Sequence, residues 1–192
     1  IGIGMTNASP VVAPPGGNMR VIGTNPIAMT VPGEDGPAMH FDFSTSAVAL
    51  GKITMAKAAG ESIPLGWAVD ENGAPTTDPE AALKGALVSA GGYKGWGFGL
   101  MVELLAAGMT GSVNSLDVAG LKIPEGKPHD LGQFYILMDP GTYHADFGAR
   151  FARVAEAVAE QEGARIPGAD RRAMTHVEVP DALWDLVLTL SA

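Results

Sequence analysis

The chain lacks cysteine and is poor in positive charge, and each absence excludes a class of protein. With no cysteine among its 192 residues, it forms no disulfide bonds and performs no thiolate chemistry, which is compatible with a reducing cytoplasm. Its lysines and arginines number 12 against 21 aspartates and glutamates, for a net charge of -9. Because nucleic-acid binding needs a basic face, this acidic balance argues against a nucleic-acid partner.

Long hydrophobic runs are absent as well. The most apolar stretch, Phe98 to Met109, is shorter than the ~18 residues that a membrane span needs, and Glu103 interrupts it. No signal peptide is visible at the front. The first residues, Ile1 to Met5, have the pattern of the middle of a strand, so we expect the true beginning of the protein to lie elsewhere. We expect a cytoplasmic protein without membrane contact.

The composition that remains is typical of a globular protein. Hydrophobic residues make up 46% of the chain and charged residues 17%, which is far from the composition of a disordered chain. The 26 glycines and 14 prolines indicate many tight turns between short elements. A chain of this length can bury its core as one domain, or as one domain with a lobe.

Local patterns predict short strands in the first part of the chain. We expect one strand over Ile1 to Thr6 and a hairpin of residues 27–31 and 39–43 around a long polar loop. The hydroxyls of residues 44–46 either cap a helix over residues 47–59 or face a nucleotide. Gly2-Ile3-Gly4 is not a dinucleotide-binding turn, because no third glycine and no helix follow it. We expect further helices over residues 79–85, 96–109, 146–161 and 181–190, a loop over 111–130 and a strand over 131–138.

The segment Gly91-Gly92-Tyr93-Lys94-Gly95 comes directly before the most apolar predicted helix. The first N–H groups of a helix lack internal partners and carry the positive end of its dipole, so they attract phosphate. Lys94 adds a positive charge, and the glycines let a ligand approach the backbone. The pattern predicts an anion or nucleotide site; the alternative is a tight loop with a solvated lysine. Glycines inside the helix suggest that its backbone packs closely against a neighbour.

Two other groups of charged residues have competing interpretations. Glu103 lies within the apolar helix and could be buried and paired or could face outward. Because a lone buried carboxylate is costly, we expect the outward position. The turn from Arg165 to Arg172 is either a solvated surface loop or a second contact to a charged ligand.

Several common catalytic arrangements are missing from the sequence. The histidines, at positions 40, 129, 144 and 176, are isolated, and there is no His-Glu-x-x-His motif, so we expect no metal site. The segment at Lys94 lacks the spacing of a P-loop, and no Gly-x-Ser-x-Gly elbow occurs. The residues by themselves therefore support nucleotide binding without determining a reaction.

A series of short segments occurs in a characteristic order along nearly the whole chain. They are Gly-Thr-Asn-Pro-Ile-Ala at 23–28, Asp-Phe-Ser-Thr-Ser at 42–46, Gly-Lys at 51–52, Ile-Pro at 63–64, Gly-Trp-Ala at 66–68, Pro-Thr-Thr-Asp-Pro at 75–79, Gly-Gly-Tyr-Lys-Gly at 91–95 and Met-Val-Glu-Leu-Leu at 101–105. Each segment is weak alone, but together and in this order they resemble the malate/L-lactate dehydrogenase family of the non-Rossmann type. That family includes ureidoglycolate and sulfolactate dehydrogenases and piperideine-2-carboxylate reductases.

The resemblance implies an α/β fold in which a mixed, largely antiparallel sheet is flanked by helices and binds NAD or NADP without a Rossmann domain. It implies hydride transfer between nicotinamide and a small 2-hydroxy or 2-oxo acid, such as malate, lactate or ureidoglycolate, in a homodimer. A cyclic-imine reductase and a non-catalytic nucleotide-binding or scaffold subunit are the alternatives. Residues 1–175 would form the cofactor-binding domain, and residues 176–192 a C-terminal helix that packs on an N-terminal portion or a partner subunit.

The resemblance also assigns cofactor contacts by position, to Ala8, Asp42, Phe43, Ser44, Tyr93, Lys94, Gly168, Ala169 and Asp170. Members often have a serine where this chain has Ala8. The proton donor of the family is a histidine in an N-terminal portion that carries a Ser-His-Gly segment, and no histidine of this chain matches it. We therefore expect these residues to be the cofactor-binding portion of a longer or cleaved protein, inactive without the rest.

Overall fold

The fold was obtained as a computed structural model, which describes residues 1–118, 128–169 and 176–190. The strands are β1 (Gly2–Thr6), β2 (Ile27–Gly33), β3 (Gly36–Phe43), β4 (Ala68–Val69), β5 (Pro75–Thr76), β6 (Ala86–Leu87) and β7 (Gln133–Leu137). The helices are α1 (Leu50–Ala59), α2 (Pro79–Lys84), α3 (Tyr93–Val102), α4 (Pro140–Tyr143), α5 (Phe147–Ala159) and α6 (Asp181–Leu190). A π-helical segment, Glu103–Gly108, continues α3, and a 3-10 turn follows at Ser115–Asp117. The expected α/β class, with antiparallel sheets and flanking helices, is confirmed.

The main sheet has the strand order β3-β2-β1-β7, and each neighbouring pair is antiparallel. Because side chains alternate along a strand, the register collects apolar residues on one face. These residues are Ile3, Met5, Ile27, Met29, Phe41, Phe43, Phe134 and Ile136. Val102 and Ala106, from the end of α3 and the π-helical segment, pack against Met5 in a buried cluster on this face. The other face carries Gly2, Gly4 and the exposed Tyr135 and Leu137.

The hairpin of β2 and β3 is longer than expected, and its loop is shorter. We predicted a long polar loop over residues 32–37, but Pro32 pairs with Pro37 and Gly33 with Gly36, which leaves two residues in the turn. The register shifts after Val31. Proline has no N–H to donate and is tolerated at such irregularities, so the strands continue past it.

Helix α1 begins at Leu50 rather than at residue 47, and no side chain caps it. Of the two alternatives for the hydroxyls of residues 44–46, capping of this helix is therefore excluded. The backbone there pairs with a distant segment instead: the Ala47 N–H donates to the carbonyl of Val88, and the Ala90 N–H donates to the carbonyl of Thr45. Ser46 and Ser89 form an isolated antiparallel bridge, and Ala49 is still extended, so the helix begins only at Leu50.

A second core forms around the small sheet, which has the order β5-β4-β6. Val12, Ile53 and Leu87 are almost completely buried and pack together between this sheet and α1. Helix α2 starts as its sequence predicted. Pro79 occupies the first turn, and the Asp78 carboxylate accepts a hydrogen bond from the Glu80 N–H at 2.9 Å.

The position of Glu103 differs from our expectation. We predicted an outward-facing carboxylate, but Glu103 is only 8% exposed. Its carboxylate accepts hydrogen bonds from Asn25, which lies far earlier in the sequence, and from Ser115, which lies beyond the end of the helix. These donors offset part of the desolvation cost that led us to expect an outward position.

The predicted C-terminal helices are present as α5 and α6. The spacing of Phe147, Phe151, Val154 and Val158 places these residues on one side of α5. In α6 no residue is buried, and Trp184 is half exposed. Within the described ranges, none of the helices combines the length and the apolar content that a membrane crossing requires.

We predict that Asn7→Ala lowers the free energy of unfolding by about 2–6 kcal/mol, because one buried and one partly buried backbone group lose their partner at ~1–3 kcal/mol each. Asn7 is fully buried; its Nδ2 donates to the Val113 carbonyl and its Oδ1 accepts from the Gly132 N–H, both at 2.8 Å. Urea unfolding measures the change. The control is Asn18→Ala, which removes an exposed hydrogen bond to the Glu71 carbonyl and should change stability by less than ~0.5 kcal/mol. Equal stability of the two variants would contradict the assignment.

Candidate functional site

A cavity of about 450 Å³ lies between the apolar face of the main sheet and α3. The sheet contributes Ile3, Met5, Ile27, Met29, Phe41 and Phe43 to its lining. Helix α3 contributes Lys94, Gly95, Phe98 and Met101, and Ser44, Thr45 and Ala90 complete the lining. Among the described lining residues, Lys94 is therefore the one with a charged side chain, and the others are apolar or neutral.

The start of α3 is set by two glycines with positive φ. Gly91 and Gly92 both have a φ of 64°, a conformation that glycine adopts without strain. A Cβ atom added to either would meet no described atom within 4 Å, so the space in front of the helix is open. Lys94 is the second residue of the helix and is exposed. Lys94 and Gly95, from the first turn of α3, are thus both among the residues that line the cavity. Binding of an anion there stays a prediction.

The backbone of α3 lies directly against the segments that face it. A Cβ atom on Gly95 would overlap the carbonyl oxygen of Ala90, and one on Gly99 would lie 2.7 Å from Ile22 Cδ1. The predicted close packing of a glycine-rich helix is confirmed at these two positions. At Gly97 a Cβ would meet no described atom within 4 Å, so that glycine faces open space.

An aromatic pair lines the cavity on the edge strand β3. The rings of Phe41 and Phe43 are stacked, with centroids 4.8 Å apart and an angle of 22° between their planes. Phe43 is 52% exposed, so part of its ring faces the solvent. A flat apolar surface of this kind suits contact with another planar ring.

A larger surface depression, of about 640 Å³, lies between Ile1 and the hairpin turn. Asp139 is the acidic residue of its lining, and none of the described lining residues is a lysine or an arginine. A site for an anion needs positive charge or free N–H donors. We therefore take the smaller cavity beside Lys94 as the candidate site, although the depression has the greater volume.

Three of the residues assigned by the family resemblance come together in the cavity lining: Phe43, Ser44 and Lys94. Tyr93 is next to Lys94 but is 72% exposed and is not part of the lining. Asp42 belongs to the opposite face of the sheet, where it lines a depression of about 240 Å³. Alternation along β3 explains this separation, since Asp42 lies between Phe41 and Phe43.

Ala8, Gly168 and Ala169, which the resemblance also assigned, are not among the residues that line the cavity. The Ala8 N–H donates to Asn25 Oδ1 at 3.2 Å. The turn at Gly168 and Ala169 packs on the edge of β3: the His40 N–H donates to the Pro167 carbonyl at 3.0 Å, and a Cβ on Gly168 would lie 2.6 Å from the His40 carbonyl oxygen. Asp170 lies outside the described residues. Cofactor contact by each of these residues stays a prediction.

Our sequence reasoning missed most of the apolar lining. Met29, Phe41 and Phe98 lie outside the segments that carry the family resemblance, and Met101 lies inside one without having been assigned a role. A signal was available in the alternation of β2 and β3, which directs Met29 and Phe41 to the same face. In the described part of the chain, no group of three or more histidines and carboxylates is placed to hold a metal ion.

Residues 1–185 match the model of a protein family described as malate/L-lactate dehydrogenase. The chain belongs to this family. It is 40% identical to (2R)-3-sulfolactate dehydrogenase (NADP(+)) of Chromohalobacter salexigens, an alignment that covers 96% of this chain and 57% of the relative. It is 43% identical to a Δ1-pyrroline-2-carboxylate/Δ1-piperideine-2-carboxylate reductase of Pseudomonas aeruginosa, over 93% of this chain and 56% of the relative.

Solved structures of the family share the fold. The Δ1-piperideine-2-carboxylate reductase of Pseudomonas syringae pvar. tomato superposes with a TM-score of 0.87 at 34% identity, over 98% of this chain and 59% of that protein. Sulfolactate dehydrogenase of Methanocaldococcus jannaschii gives a TM-score of 0.83 at 32% identity, over 96% of this chain and 56% of that protein. The chain thus spans somewhat more than half the length of the relatives it matches.

We predict opposite effects for two alanine substitutions in α3. Gly95→Ala should lower the free energy of unfolding by about 1–3 kcal/mol, because its Cβ has to displace the Ala90 carbonyl. Gly97→Ala, two residues away in open space, should raise it by up to ~1 kcal/mol through helix propensity. Thermal unfolding followed by circular dichroism measures both. If Gly95→Ala were as stable as Gly97→Ala, α3 would not lie against residue 90 as described.

Proposed function

We propose that the chain binds NAD or NADP in the cavity beside Lys94 and forms the cofactor-binding part of an oxidoreductase. The proposed reaction transfers a hydride between nicotinamide and a small 2-hydroxy or 2-oxo acid, such as malate, lactate or ureidoglycolate. The observation that carries the proposal is the position of Lys94, at the start of α3 and in the lining of an otherwise uncharged cavity. The relatives support it, since one is named as an NADP(+)-dependent dehydrogenase.

The residues present fit a dinucleotide in both charge and shape. An anionic diphosphate suits the Lys94 amine and the free N–H groups at the start of α3. The open space in front of Gly91 and Gly92 permits a close approach to the backbone. The stacked rings of Phe41 and Phe43 offer a planar apolar surface for a base or a nicotinamide ring.

The bound cofactor supplies the hydride chemistry, and the protein supplies binding, orientation and a site for the accompanying proton. None of the four histidines, all within the described ranges, is among the residues that line the cavity. His40 belongs to the opposite face of the sheet, where its Nδ1 lies 2.7 Å from the Thr30 hydroxyl. We therefore propose that the proton donor lies outside these 192 residues and that they turn over no substrate alone.

The remaining features of the proposal follow from the family resemblance. We propose that residues 1–175 act as the cofactor-binding domain of a cytoplasmic homodimer. The exposed apolar helix α6 would then pack on an N-terminal portion of the protein or on a partner subunit. The contacts assigned to Ala8, Asp42 and the turn at Gly168 are part of the same proposal.

Reduction of a cyclic imine is a second candidate. The Pseudomonas aeruginosa relative, at 43% identity, is named for the reduction of Δ1-pyrroline- and Δ1-piperideine-2-carboxylate. A 2-oxo acid and a cyclic imine carboxylate both place an unsaturated carbon beside a carboxylate. The same cofactor site would serve either substrate, so the choice between them rests on residues that contact the substrate.

We predict that Lys94→Ala raises the Kd for NADH and NADPH about 10- to 100-fold, because a hydrogen bond to a charged group contributes ~1.5–3 kcal/mol. Nicotinamide fluorescence during titration measures the Kd. Lys94→Arg keeps the charge and should retain more affinity than the alanine variant.

Lys84→Ala is the matched control for this titration, because it removes the same charge from an exposed site at the end of α2. It should leave the Kd within about 2-fold of wild type, since exposed charges at a distance are screened by salt. An equal loss in the two variants would mean that net charge, and not the position of Lys94, governs binding.

A substrate panel tests the reaction itself on the longest form of the protein that carries these residues. We expect NAD(P)-linked turnover of malate, lactate, ureidoglycolate or 3-sulfolactate, and none by residues 1–192 alone. Turnover restricted to Δ1-pyrroline- and Δ1-piperideine-2-carboxylate would support the second candidate. Cofactor binding without turnover of either substrate class would indicate a non-catalytic nucleotide-binding subunit.

A further inference from the structure

Glu103 is buried where α3 passes into the π-helical segment. Its carboxylate accepts hydrogen bonds from Asn25 Nδ2 at 2.9 Å, from the Ser115 N–H at 2.7 Å and from the Ser115 hydroxyl. These described donors are all neutral. Burial of a carboxylate carries a large desolvation cost that neutral donors offset only in part. An apolar residue here would leave the Ser115 N–H and one hydrogen of the Asn25 amide without this acceptor. The carboxylate therefore orders the groups that donate to it.

Glu103 is one of three groups that together set the orientation of the Asn25 side chain. Asn25 is fully buried, and its Nδ2 donates to the Gly99 carbonyl at 3.0 Å as well as to Glu103. Its Oδ1 accepts from the Ala8 N–H. A carboxylate and a carbonyl only accept hydrogen bonds, and a backbone N–H only donates them. The amide of Asn25 can therefore satisfy these neighbours in one orientation only.

The turn that carries Asn25 also contacts the cavity. The Thr24 carbonyl accepts from the Thr45 N–H at 2.9 Å and from the Thr45 hydroxyl at 3.0 Å. Thr45 itself lines the cavity. A Cβ on Gly23 would overlap the Ala8 carbonyl oxygen, so this turn also lies directly on the end of β1. Asn25 thus connects α3 to the sheet and to the rim of the cavity.

Lys94 lies on the same helix as the groups that Asn25 holds. Gly99 lies in α3 and Glu103 directly follows it. Hydrogen bonds from Asn25 to both residues therefore restrain the helix as a rigid unit. Each residue of an α-helix advances ~1.5 Å and turns about 100°. A slip of one residue would therefore carry the Lys94 amine away from the cavity, although the lysine itself makes no contact with Glu103.

We propose that Glu103 is a positioning residue for the cofactor site. Through Asn25 it fixes the rotation and the axial position of α3 against the sheet, and so keeps Lys94 at the cavity. The inference rests on the proposed function of that cavity. Glu103 is not part of the cavity lining, and it acts through the Asn25 amide alone.

The test is Glu103→Gln in the full 192-residue chain, with the Kd for NADPH measured by nicotinamide fluorescence. Glutamine keeps the volume and can still accept from the Ser115 N–H. The reverse orientation would set the amide nitrogen against the Ser115 N–H, a fixed backbone donor at 2.7 Å, whereas the Ser115 hydroxyl can turn to accept from it. The nitrogen therefore replaces Oε2 and confronts the Nδ2 of Asn25, so two donors meet. Asn25 cannot reverse, because its Nδ2 would then confront the Ala8 N–H. We expect the Kd to rise about 10-fold, a change of ~1.4 kcal/mol.

The control is Glu80→Gln, the same substitution at an exposed glutamate of α2. It should leave the Kd within about 2-fold of wild type. The decisive comparison is the double variant Lys94→Ala/Glu103→Gln. If Glu103 acts by placing Lys94, Glu103→Gln should change the Kd by less than about 2-fold once the lysine is gone.

Two results would overturn the inference. One is an unchanged Kd in Glu103→Gln. The other is a Kd of the double variant raised by the product of the two fold-changes measured in Lys94→Ala and Glu103→Gln alone. If Glu103 had a purely structural role, Glu103→Gln would lower the midpoint of thermal unfolding without this coupling to Lys94.

If Glu103→Gln does not fold, the variant Ser115→Ala decides, because it removes one donor to the carboxylate and leaves the backbone intact. It should raise the Kd about 2- to 5-fold, and an unchanged Kd would again overturn the inference. If Lys94→Ala by itself left the Kd unchanged, that result would instead refute the proposed cofactor site.

Discussion

The buried side-chain amide of Asn25 joins three pieces of backbone that surround the cavity. It accepts from the Ala8 N–H at the end of β1 and donates to Gly99 and Glu103 on the helix side. Each of these groups would lose its partner in a dry interior if the amide moved, and an unpaired buried polar group costs ~1–3 kcal/mol. The sheet, the turn at residues 23–26 and α3 are therefore held in one relative arrangement. The cavity is the space that this arrangement leaves.

The cavity brings together an apolar surface and a positive helix end. Strand alternation directs methionine, isoleucine and phenylalanine side chains of β1, β2 and β3 to the side that α3 covers. The helix lies close to its neighbours at Gly95 and Gly99, while the turn at Gly91 and Gly92 leaves the space in front of Lys94 open. A molecule with flat rings joined by a diphosphate fits this combination better than a simple anion does. This is why we favour a nicotinamide dinucleotide.

Local sequence patterns were sufficient wherever a few neighbouring residues decide the structure. Asp78 and Pro79 begin α2 because both act within its first turn. The sequence left open whether residues 44–46 cap a helix; they do not, because the backbone there pairs with residues 88–90, which no local pattern reveals. Glu103 seemed too costly to bury because one of its partners, Asn25, lies 78 residues earlier in the chain. Polar groups whose partners are distant in sequence are hidden from this kind of reasoning.

By itself the sequence determined the order of the turns and helices, the resemblance to the malate/L-lactate dehydrogenases and the place of Lys94 at the start of a helix. These features depend on residues only a few positions apart. Only the tertiary structure decided that Phe43 and Ser44 line the cavity while Asp42 belongs to the opposite face, and that Glu103 lies inside. Strand register and long-range hydrogen bonds make those decisions, because they bring together groups that the chain itself keeps far apart.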